Sequence, residues 1–266
     1  NGGVAALDAE SGEPLWEKDL DLEVSAPPVI ASGIVAVRTS DGSVIGLDEI
    51  SGDEVWRYQR SVPGLTLRGD APMVVVANGL LTGFANGKLV ASDLESGRVF
   101  WEKVVSLARG RNEIERLNDV DAPPLVAERD IYVSTYRGGV LAMGAEDARD
   151  IWQAPVSTRR AMDADRRQLY ITNELGSVIA LDRESGEPVW QQDALQGHGV
   201  SGPVLFDIYL AVGTLDGVVY LLDPDDGSLA GKSPAVGGSV IAMRANSDRL
   251  LVASSEGEVA ALSFTY

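Results

Sequence analysis

The chain has no cysteine and a single histidine, His198. The first absence excludes disulfides and thiolate chemistry; the second leaves little for histidine-centred acid–base work. No apolar stretch approaches the ~20 residues that a membrane-crossing helix needs. No signal peptide is visible either, which carries no weight if the chain starts inside a longer one. Positive charge is scarce: 22 lysines and arginines stand against 40 aspartates and glutamates, a net charge of −18. Phosphate binders carry a basic face, so nucleic acid is not an expected partner. The arginine pairs that occur (Arg109 with Arg111, Arg159 with Arg160, Arg166 with Arg167) lie in turn-like sequence and read as solvated.

Glycine, by contrast, is plentiful, and it is placed periodically. Residues 176–190 read GSVIALDRESGEPVW. The same pattern opens at Gly2, Gly42, Gly87, Gly138, Gly176, Gly217 and Gly257, at intervals of 40, 45, 51, 38, 41 and 40. Seven copies at a near-constant period mean a repeat architecture. A closing aspartate recurs as Asp8, Asp48, Asp93, Asp182 and Asp223, with Gly144 and Ser263 in the fourth and seventh copies. A turn glycine follows as Gly12, Gly52, Gly97, Gly186 and Gly227, then a tryptophan as Trp16, Trp56, Trp101, Trp152 and Trp190. Each part has a physical task. The apolar run suits a strand covered on both faces. The aspartate accepts backbone N–H groups of the turn, and the glycine supplies its positive φ.

Two further strands precede each copy, for example residues 28–31 and 34–38. A period near 40 therefore holds four short antiparallel strands, the content of one propeller blade. The tryptophan falls on the outermost strand, where its ring fills the gap between neighbouring blades. The expected fold is an all-β propeller, a single domain over residues 1–266. The chain opens at the third strand of one blade and stops after the third strand of another. Five blades look complete, which leads us to expect a longer ring of eight with N-terminal blade material missing.

The two long intervals mark where the repeat is broken. Both surpluses fall after a tryptophan and before the next Pro-containing strand, so they are links between consecutive blades, expected side by side on one face. Such loops carry function on an invariant scaffold. The first contains Leu65, Leu67 and Arg68 in the run LTLRGD. The second, EIERLNDVD over residues 113–121, contains Asp119 and Asp121, with Ile114 and Leu117 hinting at one helical turn. Spacing alone leaves two readings open: the leucines plug the ring and Arg68 pairs internally, or Arg68 meets a partner's acid.

LTLRGD and EIERLNDVD, set within these repeats, resemble the BamB family of outer-membrane assembly lipoproteins of Gram-negative bacteria. The blade repeat itself is shared with quinoprotein-type propellers; the two loop motifs together are far more specific. The resemblance implies an eight-bladed propeller on the periplasmic face of the outer membrane, held by a lipid anchor that lies outside this chain. It implies a scaffold that binds the POTRA domains of the BamA subunit through Leu65, Leu67, Arg68, Asp119 and Asp121. It leaves open direct contact with unfolded outer-membrane protein substrates.

The rival reading is a quinoprotein-type dehydrogenase. That chemistry needs carboxylate and amide ligands for a quinone and calcium, and often a vicinal cysteine pair, which this chain lacks. His198 reads as a surface-turn residue. Asp223, Asp225 and Asp226, in DPDDG, sit at the repeat's own turn and lack the later acidic ligand of a calcium loop. Asp119 and Asp121 have no neighbouring nucleophile in sequence. The expectation is a binding protein with no catalytic residue, metal or cofactor.

Overall fold

The computed structural model describes residues 2–59, 71–84, 87–105, 120, 122–135 and 138–263. Among them there are strands and turns and no helix. The first sheet is two-stranded, β1 (Gly3–Leu7) with β2 (Pro14–Asp19). Five four-stranded sheets follow, each in simple sequential order. The second comprises β3 (Val29–Ala31), β4 (Ile34–Arg38), β5 (Val44–Asp48) and β6 (Glu54–Tyr58). The third comprises β7 (Val74–Val76), β8 (Gly79–Phe84), β9 (Lys88–Asp93) and β10 (Val99–Val104). The fourth comprises β11 (Leu125–Ala127), β12 (Asp130–Thr135), β13 (Gly139–Gly144) and β14 (Asp150–Ala154). The fifth comprises β15 (Asp163–Ala164), β16 (Gln168–Thr172), β17 (Val178–Asp182) and β18 (Pro188–Gln192). The sixth comprises β19 (Val204–Phe206), β20 (Tyr209–Gly213), β21 (Val218–Leu222) and β22 (Leu229–Pro234). A three-stranded sheet closes the series: β23 (Val240–Ala245), β24 (Leu250–Ser254) and β25 (Val259–Leu262). Contacts group the chain into two compact units, residues 1–126 with 133–138 and residues 127–132 with 139–266.

Within the first unit, β4 shows why the middle strands read as unbroken apolar runs. All five of its residues are buried, but alternate ones serve different cores. Ile34 and Ala36 join Val44, Met73, Leu80 and Leu94 on one side. Val35 and Val37 join Val4, Leu20, Ile45 and Leu47 on the other. A strand between two stacked sheets has no solvent face, so the usual alternation vanishes from the sequence. Each buried valine, leucine or isoleucine among them contributes about 1.5–3 kcal/mol by leaving water. In the second unit Tyr170, Val178, Ala180, Leu210 and Leu222 build the equivalent core.

The tryptophans join one repeat to the next through a contact the sequence does not announce. The Trp16 indole N–H donates to the Glu49 carbonyl and that of Trp56 to the Leu94 carbonyl, each at 2.9 Å. In the second unit Trp152 donates to Arg183 and Trp190 to Pro224, at 2.7 and 2.9 Å. Every acceptor is the residue just after a closing aspartate. The indole lies directly beneath the turn glycine of that following repeat: a methyl on Gly186 (φ 75°) would come within 2.6 Å of the Trp152 ring. Glycine is thus required twice, by the backbone angle and by the close approach. The fourth repeat has Ala148 at the glycine position, held at φ 53°, and its N–H still bonds the Gly144 carbonyl at 3.0 Å. Asp147 folds back over Gly144, supplying the carboxylate that the strand end lacks.

The turn aspartates act as expected. Hydrogen bonds from the serine three residues on (Ser11, Ser51, Ser96 and Ser185) are the main reason the carboxyls of Asp8, Asp48, Asp93 and Asp182 sit below their usual range. Because the folded-state values are depressed, the stability they contribute is complete above the unfolded value near 3.9 and is lost as pH falls through the folded one. Asp163, pushed up by burial, has the opposite sign, but further carboxyls such as Asp41, Asp193 and Asp226 are held down as well. Thermal unfolding midpoints should therefore drop steeply between about pH 4 and pH 2, and Asp182→Asn should flatten that slope. A profile with no acid slope, or one that Asp182→Asn leaves unchanged, would contradict this account.

Candidate functional site

Leu65, Leu67, Arg68, Asp119 and Asp121, together with Ile114 and Leu117, all lie outside the described residues. What the structure describes is where the two insertions are rooted, and those roots meet at one residue of the first unit, Gly83 on β8.

Ala71, the first described residue after the first insertion, is fully buried. Its carbonyl lies 3.4 Å from Nη1 of Arg38, and the same nitrogen donates to the Gly83 carbonyl at 2.7 Å. Arg38 closes the apolar strand β4 and is itself only 4% exposed. Its guanidinium also lies 5.1 Å from the centre of the Phe84 ring. A buried cation so placed is held by hydrogen bonds and by the ring's negative face.

Val120, at the end of the second insertion, approaches Gly83 from the other side. It is wholly buried and bridges antiparallel to Thr135. Its side chain fills the space where a larger residue 83 would stand: a Cβ there would meet Val120 Cγ1 at 2.5 Å. The departure point of the second insertion is pinned too, by the Val105 N–H to the Gly87 carbonyl at 2.8 Å. Lys88 and Glu102, paired at 2.6 Å across β9 and β10, brace the same end of that sheet.

None of Arg38, Ala71, Gly83 and Val120 follows from reading each repeat alone. Arg38 did leave a signal. Counting four residues back from each opening glycine gives Arg38, Gly83, Ser134, Thr172, Gly213 and Ala253, one charge among small residues. A charge ending a fully buried strand needs buried acceptors, and the carbonyls of the following repeat supply them.

The remaining sequence candidates are turn residues. Asp225 pairs with Arg167 at 2.7 Å and its N–H is accepted by Asp223, while Asp226 accepts the Ser228 N–H. Among the described residues no group of three or more histidine, aspartate or glutamate side chains is placed to hold a metal ion. His198 is exposed in the link before β19.

Repeats of four antiparallel strands, joined where Trp16, Trp56, Trp152 and Trp190 dock beneath the next repeat's glycine turn, define a β-propeller built from quinoprotein-like repeats. The family model described as outer membrane protein assembly factor BamB matches residues 1–192 and 174–265. The chain is 39% identical over 265 residues to an outer membrane protein assembly factor BamB from Nitrosomonas eutropha, covering 98% of this chain and 64% of that protein. It is 30% identical to the same factor from Yersinia pestis, covering 98% of this chain and 66% of that protein. Thus it spans just under two thirds of the length of each. The crystal structure of BamB from Moraxella catarrhalis superimposes with a TM-score of 0.92 at 31% identity, over 99% of this chain and 79% of that one. The chain belongs to the BamB family, and its fold is that family's propeller.

Proposed function

We propose that the chain is a non-enzymatic scaffold of the machinery that assembles β-barrels in the outer membrane, working on the periplasmic side. Its two insertions dock the POTRA domains of BamA. Leu65 and Leu67 form the apolar centre of a modest interface, and Arg68, Asp119 and Asp121 its polar surround. Membership of the BamB family supports the setting. The observation that carries the reading is the convergence of both insertion roots on Gly83, which suits two loops that must face one partner at a fixed separation. A rigid base matters because ordering loops at the moment of binding costs affinity.

Truncating Leu65 or Leu67 to alanine should weaken POTRA binding by about 1–3 kcal/mol and leave the fold intact. The measurement is capture of purified POTRA domains beside circular dichroism of the same preparations. Undiminished capture by a well-folded Leu65→Ala, Leu67→Ala, Arg68→Glu variant would end the proposal.

A further inference from the structure

The second unit exposes two leucines that its scaffold does not need. Leu175 lies in the turn between β16 and β17 and Leu215 in the turn between β20 and β21; they are 69% and 57% exposed. Single exposed leucines are ordinary, so the question is whether the turns demand them. They do not. A polar residue opens each turn and a glycine with positive φ ends it: Asn173 with Gly176, Thr214 with Gly217. In the corresponding turns of the second and last sheets the intervening residues are Ser40–Asp41 and Ser255–Glu256.

The two leucines are also joined through the backbone. The link between the fifth and sixth sheets runs between them. The Gly197 N–H donates to the Leu175 carbonyl at 3.3 Å, and the Leu215 N–H to the carbonyl of the adjacent His198 at 3.0 Å. Asn173 Oδ1 accepts the N–H groups of Leu175 and Ser177, at 3.0 and 2.9 Å. Leu215 lies over Gly199, where any side chain would collide with it.

Charge says what covers them. Beyond Leu215 the turn carries Asp216, and the neighbouring link and turn bring Glu256 and Glu258. The Gly237 N–H donates to Glu258 Oε2 at 2.7 Å, and Ser239 and Ser255 exchange bonds of 2.9 and 3.1 Å. His198 and Lys232 offset part of this acid field at Asp216, and on the Leu175 side Arg159 pairs with Glu174 at 3.5 Å while Arg160 donates to the Asn173 carbonyl at 3.3 Å. The surface therefore runs from apolar to acidic in one direction.

We propose that Leu175 and Leu215, with Asp216, Glu256 and Glu258 beyond them, form a docking surface for a peptide segment carrying apolar side chains beside lysine or arginine. This site shares no residue with the insertions and does not rest on the POTRA reading. Short synthetic peptides of alternating Leu-Lys, Leu-Glu and Ser-Lys, mixed with the full chain and titrated by fluorescence anisotropy, test it. Leu-Lys should bind. Leu175→Ser with Leu215→Ser should weaken that binding about tenfold, and Glu256→Gln with Glu258→Gln should weaken it several-fold. Should the double serine variant lose structure, Leu175→Ser alone, at the more exposed site, gives the same test. Equal binding of Leu-Glu or Ser-Lys, no binding of any peptide, or an unaffected leucine variant overturns the proposal. Self-association of the chain that disappears in the leucine variant also overturns it, making a second copy the occupant.

Discussion

Replacing Trp190 by alanine should lower the unfolding free energy by about 3 kcal/mol, and with it the melting temperature by roughly 6–12 °C. The half-buried indole sits where the fifth and sixth sheets meet. It packs on the core of Tyr170, Leu210 and Leu222, with the Tyr170 ring 6.0 Å away. Its N–H satisfies the Pro224 carbonyl at 2.9 Å, and Gly227 lies directly over its face. Alanine removes the packing, opens a cavity between two sheets and leaves a carbonyl without its donor. Trp190→Phe keeps most of the ring and loses the N–H, so it should cost about 1 kcal/mol. Gly227→Ala makes the reciprocal test, since its new methyl collides with the indole. In the Trp190→Ala background the collision is gone and only the φ penalty, about 1–2 kcal/mol, remains. Calorimetry on the two single variants and the double variant should give a clear coupling; simple additivity would mean the pair is not the joint between repeats.

What one repeat must contain was legible from sequence, because glycine spacing, the closing aspartate and the tryptophan all report local chemistry. What joins repeats was legible only in part: the tryptophan ring was expected between neighbouring blades, but the acceptor of its N–H was not. Trp16 and Glu49, or Trp190 and Pro224, are partners across more than thirty residues, and nothing local marks the acceptor. The same limit hid the acceptors of Arg38, which lie in the next repeat. The fifth repeat was the hardest to read in its first strand. It lacks the proline pattern there, and the strand shrinks to Asp163–Ala164. Asp163 stands where Val29 and Val204 stand in their own sheets, half-buried, taking the Leu205 N–H of the next sheet at 2.7 Å. A carboxylate replaces an apolar contact with a hydrogen bond to the neighbouring inner strand, a substitution that period counting does not detect. As for the candidate site, the sequence pointed to the insertions by their length. The residues that hold them, Arg38 and Gly83, belong to the regular repeat and add nothing to its length; only the charge of Arg38 stands out there.

Arg38→Met should cost about 2–4 kcal/mol in stability, and its damage should be local before it is global. Methionine keeps most of the buried volume, so packing loss is small and the effect isolates the guanidinium. Without it the Gly83 and Ala71 carbonyls lose their shared donor inside a buried site, and each unsatisfied group costs about 1–3 kcal/mol. Arg38→Lys should fall between, because a point charge on a flexible stem cannot reproduce the planar donor. Amide exchange separates this from general weakening. In conditions where the chain remains folded, protection should fall around Ala71–Met73 and Val120–Ala122, while β17 and β18 of the second unit stay protected. Gly83→Ala should loosen the Val120 side of the same junction by displacing that side chain, leaving the Arg38 bonds in place. If the insertions act together on one partner, either variant weakens POTRA capture although it alters no residue of the insertions. Uniform loss of protection across both units, or none at either root, would mean that Arg38 and Gly83 serve the sheet alone and that the insertions take their positions from something else.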